Sequence, residues 1–210
     1  MKIPYIMFMK HAEKITKNAP SGRPVLKGVH HTEDGNLVVT DSHRLYLAKN
    51  ATHGNEPTVL DPKTGDQIDG NYPPVDRLIP SVSNTIAEIL FDTKDLLSGV
   101  SALLKCNQVA SGEKAFVKLN ANSGSLPTIT IKNSLMFSQF TGGQFNGDED
   151  VKLIIDTQYF VDALSLFKAC KTDKIILRYY GSFRPFTISP EDSQDLLALI
   201  LPIRIEGSDE

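Results

Sequence analysis

Residues 85–107, TIAEILFDTKDLLSGVSALLKCN, set the plan of the chain. Thr85–Phe91 reads as a strand. Asp92 or Thr93 can cap a helix by accepting a bond from an unsatisfied backbone N–H. The helix then runs to about Asn107, with Leu96, Leu97, Val100, Leu103 and Leu104 on one face. Val151–Ile155 is another strand, Asp156 caps a second helix, and Phe160, Val161, Leu164 and Phe167 form that helix's buried face. Strands also fall at Ala115–Asn120, Thr128–Asn133, Met136–Gln139, Lys174–Tyr180, Phe186–Ser189 and Leu196–Ile205, with a polar loop over Gly142–Asp150. Strand, helix, several strands, helix, strands is the order of an α+β domain, mostly antiparallel, with helices on one face. No glycine-rich phosphate turn joins any strand to a helix.

Toward the N-terminus, residues 5–17 predict a helix. Tyr5, Phe8, Ala12 and Ile15 share one face, and Lys10, Lys14 and Lys17 share a face almost opposite. A lysine row of this kind is a solvated face or a set of cations aimed at phosphates. Asn18–Gly22 ends the helix. RPVLKGVHHT, residues 23–32, reads as a strand. An Asp34-Gly35 turn leads to LVVT, and DSHRLYLAKN continues extended. Residues 50–71 carry Gly54, Pro57, Pro62, Gly65 and Gly70 and predict loops, with a short hairpin around Pro62–Gly65. YPPVDRLIP, residues 72–80, suits one helical turn and a stop. The expected boundary follows Pro80, giving domains 1–80 and 81–210.

The 210 residues are 40% apolar and 22% charged, enough to build a core. No apolar run approaches the roughly 18–20 residues of a membrane span. The N-terminal stretch lacks a small-residue cleavage site and is interrupted by Lys10 and Lys14, so it does not read as a signal peptide. Net charge is −3, unevenly spread. Lys2, Lys10, Lys14, Lys17, Arg23 and Lys27 face only Glu13 in the first 31 residues, while Glu206, Asp209 and Glu210 make an acidic tail. A basic patch on an acidic chain is an electrostatic footprint.

Cys106 and Cys170 are far apart in sequence, which suits a reducing cytoplasm and offers neither a disulfide framework nor zinc spacing. His30 and His31 would point to opposite faces of a strand and could not chelate one metal together. Thr40-Asp41-Ser42-His43 contains the residue types of a hydrolytic triad. Neighbours on one extended strand cannot meet in triad geometry, and no G-x-S-x-G elbow is present. The expectation is a non-enzyme with no cofactor.

Three segments resemble the bacterial replicative sliding clamp, the β subunit of DNA polymerase III. Arg23-Pro24-Val25-Leu26-Lys27-Gly28 leading to Thr40-Asp41-Ser42-His43-Arg44-Leu45 looks like the clamp's middle domain. Tyr72-Pro73 through Arg77-Leu78-Ile79-Pro80 is similar to its junction with the last domain. Tyr159-Phe160-Val161-Asp162-Ala163-Leu164, Arg184–Pro190 and Leu201-Pro202-Ile203-Arg204 resemble the last domain's helix, its late strand and its closing motif. The resemblance covers the middle and last clamp domains only, and it implies a short first half whose residues 50–71 stand where the family has a second helix and two strands.

The resemblance implies a DNA-clamp-like α+β fold and a cytoplasmic processivity factor in DNA replication. It implies a pocket for short peptides of the replicative polymerase and the clamp loader. The matching positions are Leu26, Thr40, Ser42, His43, Arg44, Leu45, Pro73, Arg77, Leu78, Leu199, Leu201, Pro202, Ile203 and Arg204. Leucine, proline and isoleucine would wall such a groove, with Arg44, Arg77 and Arg204 as donors at its rim. It implies sequence-independent contact with duplex DNA through Lys10, Lys14, Lys17, Arg23 and Lys27. Six domains in a ring would ask for a homo-oligomer of three such chains. The alternative is a module that keeps the pocket without the ring and sequesters or adapts clamp-binding peptides. The acidic tail could fold over that pocket, or fray.

Overall fold

A computed structural model describes residues 3–53, 56–110, 115–133 and 135–204. In chain order the elements are α1 (Tyr5–Thr16), β1 (Val29–His31), β2 (Leu37–Thr40), β3 (Arg44–Ala48), β4 (Thr58–Leu60), β5 (Ala87–Asp92), α2 (Thr93–Ala110), β6 (Phe116–Asn122), β7 (Ser125–Lys132), β8 (Phe137–Thr141), β9 (Gln144–Gly147), β10 (Val151–Asp156), α3 (Thr157–Ala169), β11 (Lys174–Tyr179), β12 (Phe186–Pro190) and β13 (Leu196–Ile200). The fold is α+β, and all strand pairings are antiparallel. Nine strands form one sheet in the order β4-β1-β2-β3-β13-β12-β11-β5-β9, and four form a second, β10-β6-β7-β8.

The two long helices begin as their sequences require. Asp92 Oδ1 accepts from the Lys94 and Asp95 N–H groups at 2.9 and 3.0 Å. Asp156 Oδ1 does the same for Gln158 and Tyr159 at 2.9 and 3.1 Å. Each cap is worth about 1 kcal/mol. Leu96, Val100 and Leu103 of α2 and Phe160, Ala163, Leu164 and Phe167 of α3 are buried in one core. That core includes Phe8, Ala12 and Ile15 of α1, so all three helices cover the same side of the large sheet.

Strands β2, β3 and β13 are apolar at nearly every position because both their faces are covered. Leu37, Val39, Tyr46, Ala48, Leu196, Ala198 and Ile200 face the helices. Val38, Leu45, Leu47, Leu197 and Leu199 face the other way, under Val75, Tyr72 and Ile79. The Tyr72 hydroxyl accepts from the Thr40 N–H at 3.1 Å, and the His30 ring stacks on Tyr72 at 5.0 Å. The segment 72–80 is thus strapped across the back of the sheet, with its helical turn at Asp76–Leu78. Strands from before and after Pro80 share the sheet through β3–β13 pairing.

Four expected elements are corrected. Residues 23–32 are not one strand: Pro24–Lys27 is a 3₁₀ turn, and only Val29–His31 pairs. Pro24 fixes φ and has no N–H to give a ladder. The run from Asp41 does not continue extended: Ser42 takes φ 77, and β3 folds back on β2. The polar loop 142–150 holds β9, an edge strand paired, among the described residues, with β5 and carrying one partly buried aromatic, Phe145. The last strand stops at Ile200. The acidic tail lies outside the described residues. Among the described residues no helix is long and apolar enough to cross a membrane.

Candidate functional site

The site is built on the sharp turn between β2 and β3. Asp41 Oδ1 accepts from the His43 and Arg44 N–H groups, both at 3.0 Å. The Thr40 hydroxyl donates to the Arg44 carbonyl at 2.7 Å and accepts from the Ser42 N–H at 3.2 Å. Aspartate and threonine hold their own backbone in such turns, which stabilises the left-handed Ser42. The turn leaves His43 exposed and drives Arg44 inward.

Arg44 is only 1% exposed. Its Nε donates to Asp41 Oδ2 at 3.0 Å, Nη1 to Asp162 Oδ2 at 2.9 Å, and Nη2 to the Lys14 carbonyl at 2.9 Å. The guanidinium lies 4.2 Å from the centroid of the Tyr159 ring. Asp162 also accepts at Oδ1 from Lys14 Nζ, at 2.9 Å, and from Gln158 Nε2, at 3.0 Å. Burial works against the charge on Arg44, but the anionic groups around it outweigh that, and its pKa stands above the ordinary arginine value.

Above this network lies a groove of about 370 Å³, lined by His43, Phe116, Asp156, Tyr159, Phe183, Leu201, Pro202, Ile203 and Arg204. After β13 the chain crosses from one sheet to the other. The Leu201 N–H donates to the His43 carbonyl at 2.9 Å, and the Ile203 N–H to the Ile154 carbonyl of β10 at 2.8 Å. These two bonds lay residues 201–204 along the groove. Phe183 is 71% exposed on the loop between β11 and β12. The Arg204 guanidinium sits 5.3 Å from its ring centroid and donates weakly to its carbonyl at 3.4 Å. Exposed apolar side chains beside a few polar groups suit a ligand with aliphatic or aromatic anchors.

Of the pocket residues expected from the sequence, His43, Leu201, Pro202, Ile203 and Arg204 come together here. Arg44 does not stand at the rim: a buried side chain with three acceptors beneath Tyr159 supports the wall from behind. Leu45 and Leu199 are buried in the cluster on the back of the sheet, and Leu26 is buried in the 3₁₀ turn. Thr40 is buried and committed to the turn, while Ser42 is exposed on it. Pro73, Arg77 and Leu78 lie on the strap, with Arg77 exposed and Leu78 56% exposed. The groove also takes in Phe116, Asp156, Tyr159 and Phe183, which are not among the expected pocket residues. Phe183 had a signal: an aromatic in a Gly-Ser-Phe-Arg-Pro loop has no core to enter.

The α1 cations are partly engaged. Lys14 is paired with Asp162, and Lys17 lies 4.0 Å from Glu13. Lys10, Arg23 and Lys27 are exposed. Asp41, bonded to Arg44 and to two backbone N–H groups, is not placed to serve a triad with Ser42 and His43. Among the described residues no group of three or more His, Cys, Asp or Glu side chains could hold a metal ion.

No protein-family model matches the chain. Among curated proteins, the beta sliding clamp of Bacillus subtilis is 26% identical over 174 residues, which is 80% of this chain and 40% of that one. The beta sliding clamp of Streptococcus pneumoniae is 30% identical over 146 residues, 65% of this chain and 35% of that one. Among solved structures, the DNA polymerase sliding clamp of Bacillus subtilis superposes with a TM-score of 0.77 at 24% identity, covering 97% of this chain and 63% of that one. The DNA polymerase III subunit beta of Borrelia burgdorferi, in complex with a natural product, gives 0.75 at 19% identity, covering 98% and 62%. The chain therefore spans 40% or less of the length of these curated relatives.

Proposed function

From a chain that matches part of a β sliding clamp in sequence and in fold, we propose a non-catalytic binding module that takes short clamp-binding peptides in the groove between Tyr159, Phe183 and residues 201–204. The observation that carries this reading is the groove itself. Phe183 and Leu201 stay 71% and 39% exposed beside Pro202 and Ile203, on a backbone fixed by two cross-sheet hydrogen bonds. Anchors of a partner peptide would bury that surface. His43 and Arg204 offer donors to a partner's carbonyl or carboxylate groups, and the acidic group in the lining, Asp156, has its Oδ1 engaged in the α3 cap. By the family resemblance the peptides would be those of a replicative polymerase or a clamp loader.

The module reading is favoured over a DNA-encircling ring by the inequality of the two halves. Residues after Pro80 place two helices between two sheets, whereas the described residues before it supply one helix and one four-stranded stretch of the large sheet. Of the lysines that would face phosphates, Lys14 is held at 2.9 Å by Asp162 within the chain, and Lys17 lies 4.0 Å from Glu13.

The test is fluorescence anisotropy with a labelled peptide carrying adjacent leucine and phenylalanine anchors beside an aspartate. Binding that saturates, and that weakens about tenfold in Leu201→Ala, supports the groove. Saturable binding indifferent to Leu201 would place the partner elsewhere.

A further inference from the structure

Tyr159 stands between the groove and the buried ion network. The ring lines the groove, with the His43 ring tilted against it at 6.5 Å. The Arg44 guanidinium, which lines no part of the groove, lies 4.2 Å from its centroid. Tyr159 is only partly buried and sits in the first turn of α3, where several rotamers are open to it. Stacking on a planar cation selects one, provided that the plane of the cation is itself fixed.

That plane is set from three directions, with the Lys14 carbonyl holding Nη2. Asp41 grips Nε from within the same turn. Asp162 grips Nη1 from α3 and, unlike Asp41, belongs to the element that carries Tyr159. Asp162 is 4% exposed and lines no part of the groove. We propose that Asp162 is a positioning residue for the groove: by fixing the Arg44 guanidinium it fixes the ring face that Tyr159 presents to a bound peptide. The inference rests on the peptide-binding reading of the groove. Lys14 takes part from outside. Its side chain is 43% exposed and its ammonium holds the second oxygen of Asp162, so the network runs from the α1 surface to the groove wall.

Asp162→Asn is isosteric. Arg44 keeps Asp41 and the Lys14 carbonyl, so its charge is not stranded, but the bond that sets its tilt loses its anionic acceptor and weakens. The labelled peptide is titrated into the full chain as wild type, Asp162→Asn, Tyr159→Ala and the double variant, with thermal melts alongside. The expected result is binding about five- to tenfold weaker in Asp162→Asn, measured below its melting temperature. On the Tyr159→Ala background, Asp162→Asn should add nothing, because its effect passes through the missing ring. Wild-type affinity in Asp162→Asn, or additive losses in the double variant, would overturn the inference and leave the groove standing. If Asp162→Asn does not fold, Lys14→Met takes its place in the same cycle, with about a twofold loss expected on wild type and none on Tyr159→Ala. A wild-type chain that binds no peptide overturns the groove reading and this inference together.

Discussion

The Arg44 guanidinium reaches Asp162 across 118 residues of chain, Nη1 to Oδ2 at 2.9 Å, with side-chain exposures of 1% and 5%. This bond joins the turn after β2 to helix α3. It ties the first half of the chain to the second beneath the groove.

Arg44→Met tests what that bond contributes. It leaves Asp41 and Asp162 buried without their shared cation, although Lys14 and Gln158 still reach Asp162. Breaking a buried pair on one side costs about 3–5 kcal/mol. Urea unfolding should show a loss in that range. A loss below about 1 kcal/mol would mean that the network is indifferent to its centre.

The histidines set a pH dependence. His11, His30 and His31 all have pKa values lowered from the usual 6.5, in each case chiefly by burial. At His11, Lys14 and Lys10 lower it further while Asp162 opposes them. The folded chain therefore resists protonation that the unfolded chain accepts. The stability these neutral rings contribute is complete above pH about 6.5 and is lost as pH falls toward the lowered folded values. The urea midpoint should drop between pH 7 and pH 5, and His11→Gln should flatten that slope. A midpoint that rises on acidification would reverse the sign.

Gly99 gives a prediction against helix propensity. Gly→Ala in a helix ordinarily stabilises by about 1 kcal/mol. Here an added Cβ would come within 2.2 Å of Phe140 Cδ2 and 2.7 Å of its Cγ. Gly99→Ala should destabilise by about 1–3 kcal/mol, and Phe140→Leu in the same chain should recover part of the loss. A higher melting temperature for Gly99→Ala alone would show that the ring can move aside.

Local signals in the sequence located what local physics determines. The caps Asp92 and Asp156, the apolar faces of α2 and α3, Phe8, Ala12 and Ile15 of α1, and most strands stand near where periodicity puts them, while Tyr5, expected on the α1 face, is 38% exposed. The misreadings share a cause. Pro24, Ser42 and the β9 run are settled by partners far away in sequence, or by one residue's φ, and no window of apolar periodicity reports either. The site divides the same way. His43 and residues 201–204 were legible as a motif, while Phe116 and Phe183 became neighbours only through the packing of strands. Arg44 is expected at the groove edge and stands beneath its wall: the two placements look alike in sequence until Asp162 is seen beside it.

Oligomeric state separates the module from the ring. Native mass spectrometry at micromolar concentration should show no trimer, because the first half lacks, among its described residues, the second helix and second sheet of its companion. A trimer stable to dilution would restore the ring reading.

The most direct measurement of the central claim is peptide affinity by anisotropy for wild type against Leu201→Ala and Phe183→Ala, two exposed groove residues whose loss strands no buried partner. The account predicts saturable binding by the wild type, weakened about tenfold in each variant, with melting temperatures little changed. Equal binding by all three chains, or none by the wild type, would contradict it.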